Sequence, residues 1–530
     1  MERTADINRM IRISKVNRLR TGCQPRVLDL FSGCGGLSLG FHTAGYEIVG
    51  SVELDPLAAK SHAGNFFRNA PKSVREVHAT PRDITTIGPG ELLKEFGFEN
   101  PLTAVDVIIG GPPCQAFARV GRAKLREVRE HPEAYLQDER SNLYLRFLHY
   151  VRKLQPLAIL MENVPDSLNF GGHNIPEETC EVLGEMGYTC RYTLLNASFY
   201  GVPQMRERMF LIGYARELEC GVSFPEPTHW ITLPKGYEGT RRVALRSLAS
   251  KKNNQYDSVE EAFFPENPPT DQMFFLETPR SSEDLPPAVT AREAIGDLPR
   301  ITRHLTGEIK RGVKRFTEAL SCPRPETSSG YADMMRSWPR FENKGVIYDH
   351  VIRIVPRDYP IFRRMNPGDQ YPEAYRHALD ILQEKIAELS ADGITVEPEG
   401  PEYEKIKKSI VPPYDPGKFP NKWRKMEADK PSRTLMAHLG KDGYSHIHYD
   451  SDQARMISVR EAARLQSFPD GFVFEGSMNH AFRQIGNAVP PLMSLVLARH
   501  MLLSMGLTAD EEQNGGTTDF YELFRTTAAV

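Results

Sequence analysis

The sequence predicts an α/β fold: a mostly parallel sheet covered by helices on both faces, with a second, smaller domain of mixed structure. Three observations predict it. Short, nearly continuous apolar runs alternate with helical stretches through the first 215 residues, as strands buried on both faces require. From about Cys220 to Asp450 that alternation stops, while prolines and charges rise. It returns between Ile457 and Met505.

The elements follow in order. Residues 1–25 are a basic arm carrying Arg3, Arg9, Arg12, Lys15, Arg18 and Arg20, without the apolar stretch of a secretory signal. Residues 26–31 read as a strand, followed by a glycine-rich turn and a helix from Leu37 to Ala44 that Gly45 ends. Further strands are expected at 46–52, 105–109, 157–161 and 209–212. In the middle span, 263–269 reads as loop, and Leu379, Leu382, Ile386 and Leu389 keep helical spacing. The acidic run 397–404, with two prolines, reads as a surface loop. Ser458 and Glu461 have the spacing of a capping box. Residues 484–491 read as a turn and 492–503 as a helix, and the acidic, glycine-rich tail after Ala509 as a frayed end.

Composition narrows the class. Apolar content of 40% and charged content of 25% are those of a soluble globular protein, and no apolar run matches a membrane span. None of the seven cysteines shows Cys-x-x-Cys spacing, so no metal is expected and the thiols read as reduced, inside a cell. The net charge of −3 means that any nucleic-acid binding must rest on local positive charge.

Ligands of an open parallel sheet lie beyond the C-terminal ends of its strands, which gathers five features into one place. The run from Asp29 to Gly36 supplies a glycine turn and a helix start. Ser38 stands where a dinucleotide fingerprint needs its third glycine, which favours a nucleoside over a dinucleotide and argues against a dehydrogenase. Glu53, twenty residues past Gly33, ends the next strand where a carboxylate can accept from ribose hydroxyls. Pro112 and Pro113 hold Cys114, whose thiol needs an electropositive setting to act as a nucleophile. Arg119, Arg122, Lys124 and Arg126 follow it without an intervening acid. Glu162 ends a further strand as a potential proton donor. Gln204, Arg206 and Arg208 share one face if their segment is extended. Taken singly, each has an ordinary structural reading; a lone cysteine is normally a small buried apolar residue.

Together they identify a pattern. Asp-x-Phe-x-Gly-x-Gly-Gly, Pro-Pro-Cys-Gln, Glu-Asn-Val, Gln-x-Arg-x-Arg and Gln-x-Gly-Asn-Ala-Val-Pro-Pro occur in that order. The chain thereby resembles the bacterial DNA cytosine-5 methyltransferases over about residues 26–214 and 455–505, roughly half its length. The resemblance implies a Rossmann-like, S-adenosylmethionine-dependent methyltransferase fold. Its catalytic domain would be split into 26–219 and 451–508 around a target-recognition domain at 220–450, with an acidic tail at 509–530. It implies a cofactor site at Phe31, Ser32, Gly33, Gly35, Gly36 and Leu37 for the methionine part. Glu53 and Leu54 would meet the ribose, Asp83 and Ile84 the adenine, and Pro113, Leu143, Asn487 and Ala488 would complete the pocket.

It further implies that Cys114 attacks C6 of a cytosine flipped out of the duplex, with Glu162 on N3 and the amine. Arg208 would contact the base, Arg206 would lie near the thiol, and Gln204 would belong to the same set. Gln115, Arg119, Arg122 and Lys124 would sit on a loop that meets the DNA. Recognition candidates are Arg353, Arg357, Arg363 and Arg364, interleaved with Tyr348, Tyr359 and Phe362. Residues 422–425 and 433–441 are further ones, the latter resembling the family's Pro-Ser-x-Thr run with Arg433 at its variable position. The implied partner is double-stranded DNA, with a cognate restriction endonuclease or none, no membrane, and a cytoplasmic, nucleoid-associated location. An RNA cytosine-5 methyltransferase is the nearest rival, but its Cys-Phe-Thr signature is absent.

Overall fold

The computed structural model describes residues 2–113, 143–170, 173–234, 237, 241, 274–309, 319–508, 520, 522 and 524. The loop expected at 263–269 lies outside them. The strands are β1 (Arg26–Leu30), β2 (Glu47–Val52), β3 (Val107–Gly110), β4 (Ala158–Asn163), β5 (Tyr188–Asn196), β6 (Gln204–Met205) and β7 (Glu207–Ala215). All but β6 form one sheet in the order β2-β1-β3-β4-β7-β5. The first four run parallel, and β7 lies antiparallel between β4 and β5. β5 was not expected, because Thr189, Arg191 and Thr193 interrupt its apolar residues.

Successive side chains along a strand point to opposite faces, and they feed two apolar clusters. Val27, Ile109, Ala158 and Leu160 join the first, with Leu39 and Phe41 of the helix Gly36–Thr43 and Leu492, Leu495 and Val496 of the helix Pro491–Ser504. Leu28, Ile108, Ile159 and Met161 join the second, with Phe147 and Val151 of the helix Leu143–Leu154. The sheet is therefore filled on both sides. The C-terminal segment belongs to this body: Ser494 Oγ donates to Leu37 O at 2.7 Å, and Tyr46 donates to Ala498 O at 3.2 Å.

A third cluster forms apart from the sheet, from Tyr359, Phe362, Tyr371, Leu382, Trp423, Ile447 and Met456 among others. The helix Tyr371–Ala391 packs on it through Ala374, Ala378 and Leu382. Within the expected recognition span, Ala291, Ile295, Met334 and Trp338 pack instead into the first cluster.

Four local expectations are corrected. The basic segment 1–25 is a helix, Glu2–Arg20, docked at the strand N-termini. Lys15 Nζ donates to Val105 O, Leu154 O and Gln155 O, and burial pulls its pKa down to about 7. Arg12 donates to Met186 O and Gln155 Oε1. The expected turn at 484–491 begins later, because Gln484 to Asn487 are the last turn of the helix Met478–Asn487, which buries Phe482 and Ile485. The acidic run 397–404 enters the helix Pro401–Ile410. Phe520 and Phe524 of the tail are buried, Phe520 with its ring 5.1 Å from Trp338.

The capping box forms as expected and does more than cap. Ser458 Oγ accepts from Glu461 N, while Glu461 accepts both Arg455 guanidinium nitrogens at 2.7 Å. Burial alone would raise the Glu461 carboxyl, yet Arg455 and His448 hold it far below the usual carboxylate range. Glu461→Gln strands a fully buried guanidinium and is expected to cost about 3–5 kcal/mol in a urea unfolding curve at pH 7. Because the folded pKa is depressed, this contribution is present above the unfolded value of about 4.3 and fades as pH falls toward the folded one.

Candidate active site

The glycine turn opens where β1 ends. Phe31 itself has a left-handed φ of 61°, as do Gly33 at 56° and Gly35 at 102°, so the backbone reverses sharply at the sheet edge. Glu53, just after β2, closes the turn: Oε2 accepts Gly33 N at 2.8 Å and Oε1 accepts Asp55 N at 2.7 Å. Burial raises the Glu53 pKa against the lowering effect of those two donors. Leu54 beside it is 66% exposed, a free apolar surface. Arg82 N donates to Glu53 O at 2.7 Å, which brings Asp83 and the buried Ile84 alongside. Asp83 Oδ1 is occupied locally by Thr85 N and Oγ1.

The C-terminal segment reaches the same turn. A Cβ on Gly36 would lie 2.3 Å from Val489 O and 3.1 Å from the Ala488 Cβ, so only glycine fits. Asn487 is exposed beside it. Leu143 and Phe31 are half-buried on the second apolar cluster. Ser32 is buried, and the Leu37 side chain packs into the first cluster, so Leu37 has only backbone to offer a ligand.

The chemistry-bearing edge lies at the ends of β3 and β4. Asn163 Nδ2 donates to Pro112 O at 2.9 Å. A Cβ on Gly111 would meet Glu162 Oε2 at 2.9 Å. The backbone of Gly111 and Pro112 is thus pressed against the Glu162 carboxyl and leads into the exposed Pro113. Cys114, Gln115, Arg119, Arg122 and Lys124 lie outside the described residues. Arg208 Nε sits 3.0 Å from Glu162 Oε1. Burial raises the Glu162 pKa, and Arg208 and Arg206 only partly oppose it.

Gln204 and Arg206 are buried, whereas Arg208 is half-buried beside Glu162. Gln204 Oε1 accepts Leu435 N at 2.9 Å, and its amide donates to Leu465 O at 3.2 Å. Arg206 donates to Leu435 O and Gly486 O, both at 3.0 Å. Between β6 and β7 the backbone turns locally, with Arg206 N donating to Gln204 O at 3.0 Å. β6 pairs in parallel with residues 432–433.

Most of the expected recognition arginines are engaged within the protein. Arg357 pairs with Asp358 at 2.6 Å, Arg364 with Glu384 at 2.5 Å, and Arg353 donates to Asn479 Oδ1 at 3.1 Å and Lys441 O at 3.3 Å. Arg363 is exposed at the end of the helix Tyr359–Arg364. Arg433 is placed differently. It lines a cavity of about 400 Å³ with Arg208, Arg424, Asn421, Ser445, His446 and Met436, next to the Glu162 pair. The sequence drew attention to 422–425 and 433–441, which hold Arg424, Arg433 and Met436; it gave no signal for Asn421 or Ser445.

Comparisons with known proteins point to one family. The family model for C-5 cytosine-specific DNA methylase matches residues 25–303 and 350–502. A protein of Oceanobacillus iheyensis named as a type II methyltransferase is 38% identical over 479 residues, covering 90% of this chain and 95% of its own. The type II methyltransferase M.AgeI of Thalassovita gelatinovora is 27% identical, covering 89% and 98%. A crystal structure named as a DNA modification methyltransferase from an E. coli prophage shares the fold, with a TM-score of 0.53 at 20% identity, covering 91% of this chain and 100% of that one. A family model that matches most of the chain, and a relative 38% identical over nine-tenths of it, converge on one result: the chain belongs to the C-5 cytosine-specific DNA methylases and is a methyltransferase of DNA cytosine.

Proposed function

We propose that the protein transfers a methyl group from S-adenosylmethionine to C5 of a cytosine flipped out of a specific duplex sequence, with Cys114 as the nucleophile. One observation carries this reading: the half-buried Glu162–Arg208 pair is packed on the Gly111–Pro112 backbone, which precedes Pro113 and Cys114 in the chain.

The residues at the glycine turn fit the cofactor. Each Glu53 oxygen accepts one backbone N–H, and a carboxylate has about four lone-pair sites, so two remain for a ribose diol. Exposed Leu54 and half-buried Phe31 flank that point with apolar surface. Asp83, Ile84, Pro113, Leu143, Asn487 and Ala488 complete the proposed pocket. When bound, the cofactor supplies an electrophilic methyl group on a sulfonium.

The chain's own residues do the rest. The Cys114 thiolate forms a bond to C6, and the C5–C6 π electrons shift into the ring. Glu162, whose hold on a proton burial strengthens, hydrogen-bonds N3, where negative charge gathers, and Arg208 orients the carboxyl. C5 uses the released electron pair to take the methyl. Loss of the C5 proton to solvent and departure of the thiolate then restore the C5–C6 double bond, with S-adenosylhomocysteine as the co-product. Flipping costs roughly a few kcal/mol; Arg119, Arg122 and Lys124 at phosphates, with recognition residues near Arg433, help to offset it. Arg206 adds positive charge at the site.

Double-stranded DNA is the proposed partner, in the cytoplasm on the nucleoid. The type II names of the relatives favour a restriction–modification setting.

Cofactor-dependent methyl incorporation into duplex DNA, with none into tRNA, tests the function. Glu53→Gln is expected to raise the KM for S-adenosylmethionine with a smaller change in kcat, because it weakens ribose binding away from the reacting atoms. An unchanged KM contradicts the assignment of Glu53.

A further inference from the structure

We propose that Arg424 and Arg433 form a clamp for one phosphodiester of the target strand, next to the flipped nucleotide. The inference rests on the reading that duplex DNA is the substrate.

Both arginines line the cavity that Arg208 also lines, and Arg208 is 3.0 Å from the Glu162 carboxyl proposed to hold the base. A group bound between them therefore lies beside the flipped nucleotide. The cavity carries more positive than negative charge. Among its described lining residues the one carboxylate, Glu207, is paired with Arg241. Among the described residues Arg433 has no carboxylate partner. Arg424 meets only Glu427, at 4.0 Å, and that carboxylate is taken by Lys430 at 2.7 Å.

Arg424 is largely buried, with 19% of its side chain exposed. Its pKa is lowered by burial first and then by the charge of Arg433. Two guanidiniums held this way repel each other, and an entering anion removes that cost. A phosphodiester has one negative charge and two free oxygens, one for each guanidinium. A base edge offers acceptors but no charge, so a phosphate matches the pair better than a guanine does.

The scaffold under the clamp is fixed. Arg424 N donates to Tyr444 O at 2.8 Å, and the neighbouring Trp423 is buried and stacked on Tyr444 at 4.6 Å. Arg433 lies in the two-residue strand paired with β6, and His446 Nε2 donates to its carbonyl at 3.2 Å. Two residues on, Leu435 is tied to Gln204 and Arg206. Those two residues thus join the clamp to the catalytic sheet, which gives them a positioning role.

The experiment uses the full chain and duplexes with a single target in which one phosphate at a time is a neutral methylphosphonate. Arg424→Gln and Arg433→Gln are compared with wild type, with Arg→Lys at each position as a fold-preserving control. Each Gln variant is expected to bind the native duplex several-fold more weakly. At one phosphate flanking the target, neutralisation should weaken wild type but add nothing to the loss in either Gln variant. The salt slope of binding should fall by about 1 for each arginine, and the Lys variants should recover part of it. Additive losses at every phosphate, with normal wild-type binding, overturn the clamp alone. So does an unchanged salt slope with relaxed preference at one base pair, which marks a base reader. A wild type that binds no duplex overturns the functional reading and the clamp together.

Discussion

Glu162→Gln is expected to lower single-turnover methyl transfer by roughly 10²–10⁴-fold while duplex binding persists. The amide keeps the shape and an oxygen for Arg208, 3.0 Å away in the parent. It has no acidic proton to place on N3. The pH profile separates this role from a packing defect. Burial raises the Glu162 pKa, so the protonated, active form persists above the ordinary carboxylate range and is lost as pH rises through the raised value. Thiol ionisation gives the opposite limb, with the rate climbing as pH increases. The wild-type profile is therefore bell-shaped, and the Gln variant keeps only the rising limb. A descending limb that survives in Glu162→Gln assigns the acid elsewhere.

Cys114→Ala has the largest expected effect: methyl transfer falls to background, and no covalent protein–DNA species forms, while cofactor and duplex binding continue. No described cysteine can replace it. Cys34, Cys180, Cys190 and Cys322 are buried, and burial pushes the Cys34 thiol far up; half-buried Cys220 follows the end of β7, which runs antiparallel to β4 and away from Glu162. Exposed Cys23 precedes the start of β1, at the sheet edge opposite the strand ends that carry Glu53 and Glu162. A thiolate is also the only group proposed here that can both add to C6 and leave again. Denaturing electrophoresis of stalled reactions, with melting temperatures for each variant, separates loss of the nucleophile from loss of the fold.

Much of this was legible in the sequence, for physical reasons. Apolar runs report burial on both faces, which gave the parallel strands; the alternating polar residues of β5 concealed a sixth strand of the sheet. Glu53, Glu162 and Arg208 could be placed because each sits at the end of a strand or beside one. The contacts of Gln204 and Arg206 could not, because the partners lie more than 200 residues away: Leu435 N and Leu465 O for Gln204, Leu435 O and Gly486 O for Arg206. Arg12 and Lys15 looked like a solvated arm, since nothing local reveals that the carbonyls of Val105, Leu154 and Met186 would receive them. The ion pairs of two recognition candidates were equally hidden: Arg357 meets Asp358 and Arg364 meets Glu384 in the folded chain. The cavity beside Glu162 is instead walled by Arg424 and Arg433.

The central claim is that Cys114 directs methylation to carbon 5 of cytosine in duplex DNA. Bisulfite sequencing of DNA from a methylation-free host expressing either wild type or Cys114→Ala tests it most directly. The account predicts unconverted cytosines at one recurring sequence with wild type and none with the variant. Complete conversion with wild type, or protection that persists with Cys114→Ala, would contradict it.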